Sequence, residues 1–333
     1  MQSKLQSQIN INPLELELDQ ASKLLFLGSC FAENISKKLA DFKFDCATNP
    51  LGISYNPVSL FNLLERSLKN EVFDLSELNY ANERYFSYEL HSAFSNPNRE
   101  ILLKEVNEQL ALQAKWIESA DCLLISLGTA WVHILKKEDR LVNNCHKVAS
   151  SEFDKAILSI NDIVESWKSL ANELEKKNPK LKILFTVSPV RHLKDGFREN
   201  QLSKSTLHLA VEEICQEYKN CLYFPSYEIM MDELRDYRFY DRDLVHPNSL
   251  AIDIIWEHFQ SACLKDKSKQ AILELEKLQA SMAHRPFNSE SNAHLSFLKK
   301  LLTDLQQFEK SYEVDLGAEL EEIKNKLDQH PAS

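Results

Sequence analysis

Three short apolar runs, each ending on a turn and each followed by a long amphipathic stretch, constrain this chain more than any other feature. Lys23-Leu24-Leu25-Phe26-Leu27 stops at Gly28, and Phe31 to Phe42 then carries helical spacing. Cys122-Leu123-Leu124-Ile125-Ser126-Leu127 ends at Gly128, and Leu181 to Val187 ends at Ser188-Pro189. A shorter run, Cys221-Leu222-Tyr223-Phe224, precedes Pro225, and amphipathic stretches near 103–118, 152–177 and 203–218 separate the runs. Such runs fit strands covered on both faces. The pattern therefore predicts an α/β fold, a three-layer sandwich around a mostly parallel sheet. Ligands of such sheets bind beyond the carboxyl ends of the strands, so Gly28-Ser29-Cys30, Gly128-Thr129 and Ser188-Pro189 should converge on one rim.

After about residue 265 only helical patterns remain. Ala271, Leu275, Leu278 and Met282 form one stripe, Leu298, Leu301, Leu305 and Phe308 a second, and Leu316, Leu320, Ile323 and Leu327 a third. His284-Arg285-Pro286-Phe287 and polar residues 288–292 break the first two helices apart. The expectation is an α/β domain over 1–264 and a C-terminal, all-helical extension over 265–333. That extension either packs on the core or serves as a homo-oligomerisation arm.

Composition removes several classes. The net charge of -11 argues against a nucleic-acid surface. Five glycines cannot supply a dinucleotide fingerprint or a phosphate-binding loop, so no nucleotide cofactor is expected. The spacing of His, Cys, Asp and Glu matches no metal-ligand pattern, and no metal is expected. Met1 to Asn12 is polar, and no apolar run is long enough for a bilayer, so a cytoplasmic protein without a membrane partner is expected. Seven cysteines without a Cys-x-x-Cys pair suit the same reducing compartment.

Two segments carry chemistry. Nucleophilic acyl transfer needs a thiol or hydroxyl at a sharp turn, a base to take its proton, and an acid to orient that base. Ser29 and Cys30, at a strand-to-helix turn, meet the first need, and the helix amino terminus beyond them favours an anionic sulfur or oxygen. In Asp241-Arg242-Asp243-Leu244-Val245-His246-Pro247, Asp243 stands three residues before His246 and can reach its imidazole within one loop. Each segment has a bland alternative, a structural turn and an exposed loop with an incidental histidine. Their order along the chain makes the pair informative.

Leu24 to Ala32 contains the Gly-Ser-Cys-Phe-Ala signature by which the chain resembles the GSCFA family, itself similar to the SGNH/GDSL hydrolases. Asn49-Pro50-Leu51-Gly52-Ile53, Leu90-His91-Ser92, Asn144-Cys145-His146-Lys147, Ser188-Pro189-Val190-Arg191-His192 and His284-Arg285-Pro286-Phe287 also look like that family. The resemblance covers nearly the whole chain. It implies a catalytic set of Cys30 or Ser29 with Asp243 and His246. In the SGNH register Cys30 takes the place of the nucleophilic serine and Ser29 that of the preceding aspartate, and either side chain remains open. The backbone amides of Cys30 and Gly52 resemble the first two oxyanion donors of that superfamily. Gly128-Thr129-Ala130-Trp131 lacks the asparagine that supplies the third, since Ala130 stands there. Thr129, Asn49 or Asn144 would have to substitute.

His91, His146, Arg191 and His192 lie in loops expected at the same rim, as substrate ligands or as structural hydrogen-bonding groups. Trp131 is a candidate for the pocket wall, whereas Trp116, Trp167 and Trp256 fall on helices and read as core. The expected activity is acyl-ester hydrolysis on an O-acylated small molecule or carbohydrate. Acyl transfer from a thioester to a sugar hydroxyl is the alternative, and a catalytically silent ligand-binding module is the third possibility.

Overall fold

The computed structural model describes residues 7–330; Met1 to Gln6 of the polar amino-terminal stretch and the last three residues of the helical extension lie outside them. In chain order the first half contains β1 (Lys23–Gly28), α1 (Cys30–Asp41), β2 (Asp45–Thr48), α2 (Pro57–Leu68), β3 (Asn79–Ala81), β4 (Arg84–Phe86), β5 (Ser95–Asn96) and α3 (Arg99–Ser119). There follow β6 (Cys122–Leu127), β7 (Trp131–Leu135), β8 (Arg140–Val142), β9 (Phe153–Ile157), α4 (Ile160–Lys177), β10 (Lys182–Val187), α5 (Phe197–Glu217) and β11 (Cys221–Tyr223). A single turn, α6 (Ser226–Glu228), leads to α7 (Ser249–Cys263), α8 (Asp266–Ala283), α9 (Asn292–Tyr312) and α10 (Gly317–Asp328).

The predicted parallel sheet is present: β2, β1, β6, β10 and β11 lie side by side in that order, every neighbour parallel. Successive side chains of a strand point to opposite faces. Leu24 and Phe26 of β1, with Leu124 and Leu184, therefore join one apolar cluster, against α1 and α7. Leu25, Leu27, Leu123, Ile125 and Phe185 join the other, against α2, α4 and α5. Three layers result. The strand order reverses direction between β1 and β6, and such a reversal opens a crevice beyond the carboxyl ends of the two strands.

The stretch expected as one helix over 152–177 is divided. Phe153–Ile157 pairs with β7 as the edge of a small antiparallel sheet, β8-β7-β9. The helix starts at Ile160 because Ser159 and Asp162 form a reciprocal cap, each side chain taking the other's backbone N–H. This small sheet, placed between β6 and α4, becomes a wall of the crevice.

All three C-terminal stripes enter the cluster on the α1–α7 side. Leu305 and Ile323 are fully buried, each burial contributing about 2 kcal/mol. Lys43 and Glu319 add an ion pair between the loop after α1 and α10.

Candidate active site

β1 turns into α1 at Gly28, whose φ of 112° is open to glycine; a Cβ there would lie 2.1 Å from the Ser126 carbonyl oxygen. The turn sorts its two candidate nucleophiles. Ser29 caps α1, accepting from the Phe31 N–H at 3.3 Å, and its hydroxyl lies 2.8 Å from that of Ser126. It is 1% exposed. Cys30, the first residue of the helix, is partly exposed and lines a cleft of about 850 Å³. It also borders a second depression of about 560 Å³. Burial, then Glu33, raises the thiol pKa, while the amides of Cys30 and Phe31 and the Lys204 ammonium act in the opposite direction.

His246 lines both hollows as well, and Asp243 lines the larger one. His246 Nδ1 lies 2.6 Å from Asp243 Oδ2. Asp243 Oδ1 accepts from the backbone amides of Val245 at 2.9 Å and His246 at 3.0 Å. The His246 amide first, then its imidazole and the Val245 amide, hold the Asp243 carboxyl down at about 2. An ionised Asp243 makes Nδ1 the donor and leaves Nε2 free to accept a proton. The loop itself is clamped by Arg191, whose amide donates to the Val245 carbonyl at 3.3 Å and whose guanidinium donates to that of Leu244. The guanidinium also covers the Tyr240 ring at 4.6 Å.

Thr129, Trp131, Asn144, Arg191 and His192 line the cleft. The Thr129 hydroxyl is already engaged, 3.0 Å from Ser203 Oγ and accepting from the Trp131 amide. Asn144 accepts from the His146 amide through its side-chain oxygen. Burial, then Lys204, lowers His192 to about 4, so its ring is neutral at physiological pH. Its Nε2 is buried without a hydrogen-bond partner.

Asn49, Gly52, Gly128, His91 and His146 are not on the cleft wall. Asn49 stiffens the Gly28-Ser29-Cys30 turn, accepting from the Gly28 amide at 2.9 Å and donating to Glu33 at 3.3 Å. The Gly52 amide, expected at the oxyanion, donates to the Asn49 carbonyl at 2.8 Å. Gly128 donates to the Tyr55 carbonyl and anchors the rim. Burial lowers His91, whose Nδ1 accepts from the Ala93 amide at 3.3 Å. His146 is buried, bonded to the Leu90 carbonyl at 3.0 Å and stacked on Phe86.

Two residues that the sequence reading passed over complete the rim. Asn143 lines the cleft; its side-chain oxygen accepts from Ser54 at 2.8 Å, and its amide nitrogen is buried without a partner. Lys204 is 1% exposed and donates to the carbonyls of Gly128 and Ser188, each at 2.7 Å, at the ends of β6 and β10. Burial brings its pKa down to about 7. A signal for Lys204 was available: it sits three residues before Leu207 and seven before Val211, on the buried stripe of α5. Asn143 carried none, because a loop asparagine has no periodicity.

No curated protein matches the chain. Among solved structures it is similar to a carbohydrate esterase of family 3 from Talaromyces cellulolyticus, at 10% identity and a TM-score of 0.34, over 76% of this chain and 99% of that one. The model of the GSCFA family matches residues 23–259, and the model described as the C-terminal domain of GSCFA domain proteins matches residues 275–329. With its signature at the strand-to-helix turn that borders the cleft, the chain belongs to the GSCFA family.

Proposed function

We propose that the protein is an acyl-ester hydrolase in which Cys30 is the nucleophile, His246 the general base and acid, and Asp243 the group that orients His246. One observation carries this reading: Cys30 and the hydrogen-bonded Asp243–His246 pair border the same cleft, while the Ser29 hydroxyl turns away to Ser126.

Because burial and Glu33 keep the resting thiol protonated, attack requires a base at the moment of bond formation. His246 Nε2 takes the proton as Cys30 Sγ bonds to the ester carbonyl carbon. The oxyanion that develops faces the amino terminus of α1, with the Cys30 amide and the unpartnered Asn143 amide nitrogen as its donors. Collapse breaks the C–O bond, and His246 returns its proton to the leaving alcohol, leaving a thioester on Cys30. Water, deprotonated by His246, then attacks the thioester. The carboxylic acid leaves and the thiol regains its proton.

An O-acylated small molecule or carbohydrate suits the cleft, whose volume is that of a site for a ligand of such size, with Trp131 as an aromatic wall. The seven free cysteines, Cys30 among them, support a reducing, cytoplasmic setting. Acyl transfer is the second reading. The depression of about 560 Å³ that Cys30 and His246 also border favours it, since an acceptor hydroxyl could approach the thioester from there.

Hydrolysis of 4-nitrophenyl acetate by Cys30→Ala, Ser29→Ala and His246→Ala proteins tests the assignment. Loss in the first and third with retention in the second is expected. Turnover surviving His246→Ala would sink it, and acyl transfer from a coenzyme A thioester with little hydrolysis would favour the second reading.

A further inference from the structure

The chain carries a net charge of -11, yet the cleft at Cys30 is lined by four cationic side chains and two carboxylates. Both carboxylates are spoken for. Asp195 pairs with Lys155, whose ammonium also covers the Trp131 ring at 5.1 Å, and Asp243 holds His246. Lys147, Arg191 and Lys194 remain without a carboxylate partner among the described residues. Arg191 spends one guanidinium nitrogen on the Leu244 carbonyl, covers Tyr240 and keeps its unpartnered Nε buried, so Lys147 and Lys194 are the exposed cations that can meet a ligand.

Lys147 sits at the tip of a turn closed by the Val148 amide, which donates to the Cys145 carbonyl at 2.9 Å. His146 and Lys147 are consecutive residues at φ 47° and 58°, a left-handed conformation that costs side-chain-bearing residues about 1–2 kcal/mol each. The bond from the His146 ring to the Leu90 carbonyl and its stacking on Phe86 hold that conformation in place. In the loop after β10, Lys194 lies two residues beyond His192 and is close enough to Cys145 to oppose the upward shift that burial imposes on that thiol. The loops after β8 and β10 thus each present one uncompensated ammonium to the same hollow.

Resting on the hydrolase reading for the chemistry at Cys30, we propose that the substrate is an anionic acyl ester, one whose phosphate or carboxylate group is met by Lys147 and Lys194 while the ester lies at Cys30 and His246. A cationic cleft in an acidic protein concentrates anions locally while the rest of the surface repels them. Neutral esters that lack the anchoring group still reach Cys30 but bind more weakly.

Binding and turnover are separated by measuring both. Calorimetric titration of the Cys30→Ala protein with 4-acetoxybenzoate, 4-acetoxyphenyl phosphate and the neutral methyl 4-acetoxybenzoate reads recognition whether or not the parent protein hydrolyses them. Binding of at least one anionic ester about tenfold tighter than the neutral one is expected, as two exposed charge contacts supply. The carboxylate and phosphate arms identify which group is preferred. Adding Lys147→Glu and Lys194→Glu should abolish the preference. Equal affinity for the neutral ester, or an anionic preference that survives the charge reversal, would overturn the inference even if the parent hydrolyses all three. Anion-selective binding without hydrolysis would leave it standing and remove the hydrolase instead.

Discussion

The hydroxyls of Ser29 and Ser126 lie 2.8 Å apart beneath the rim of the sheet, both fully buried, while the adjacent Cys30 faces the cleft. The pair ties the carboxyl ends of β1 and β6 together at the point where the strand order reverses. Ser29 is therefore read as a structural cap and Cys30 as the reactive group. Ser29→Ala should cost about 1 kcal/mol in urea denaturation, through the lost cap, and leave turnover within severalfold of the parent. A loss of turnover comparable to that of Cys30→Ala would reverse the assignment.

Asp243 predicts a specific acid response. Its folded pKa of about 2 lies below the ordinary 3.8, so its contribution to stability is complete above 3.8 and is lost as pH falls through about 2. Thermal denaturation of the parent and of Asp243→Asn across that range should show the difference between them shrinking toward low pH. The same variant should lower kcat by about 10⁴-fold, because an amide no longer selects the imidazole tautomer that accepts a proton at Nε2. A pH-independent difference in melting temperature would contradict the bond as described.

Lys204 carries an opposite sign. Its folded pKa of about 7 is depressed from 10.5 by burial. Between those values the unfolded chain holds the proton that the folded chain releases, so this group makes stability rise with pH from about 7 to 10.5. Lys204→Met orphans the carbonyls of Gly128 and Ser188 and should cost about 2 kcal/mol, with the deficit widening as pH rises. Denaturant titrations at pH 7 and pH 9 measure it; a deficit that narrows would mean the amine is not buried as described.

Asn143→Ala should lower kcat by about 10²–10³-fold with little change in KM, the mark of a donor used in the transition state alone. Asn144→Ala, whose side chain serves the His146 amide, should act mainly on stability. Steady-state kinetics of the two variants, read beside their melting temperatures, distinguish the roles. An Asn143→Ala protein with parent kcat would leave the oxyanion to backbone amides.

The sequence by itself determined the parallel sheet, its rim and the two segments that meet at the cleft. Uninterrupted apolar runs such as 122–127 have few alternatives to a strand buried on both faces, and Asp243 reaches His246 within one loop. Tertiary structure decided the rest. Whether Ser29 or Cys30 faces the cleft depends on Ser126, 97 residues away, which local pattern cannot announce. The Gly52 amide closes a turn onto the Asn49 carbonyl, and Phe153–Ile157 became a strand because β7 offered an edge to pair with. Asn143 and Lys204 acquired their places only when loops and a helix distant in sequence met over the ends of β1, β6 and β10. Periodicity reports which face of an element is covered; what a polar group on that face meets is settled by the elements packed against it.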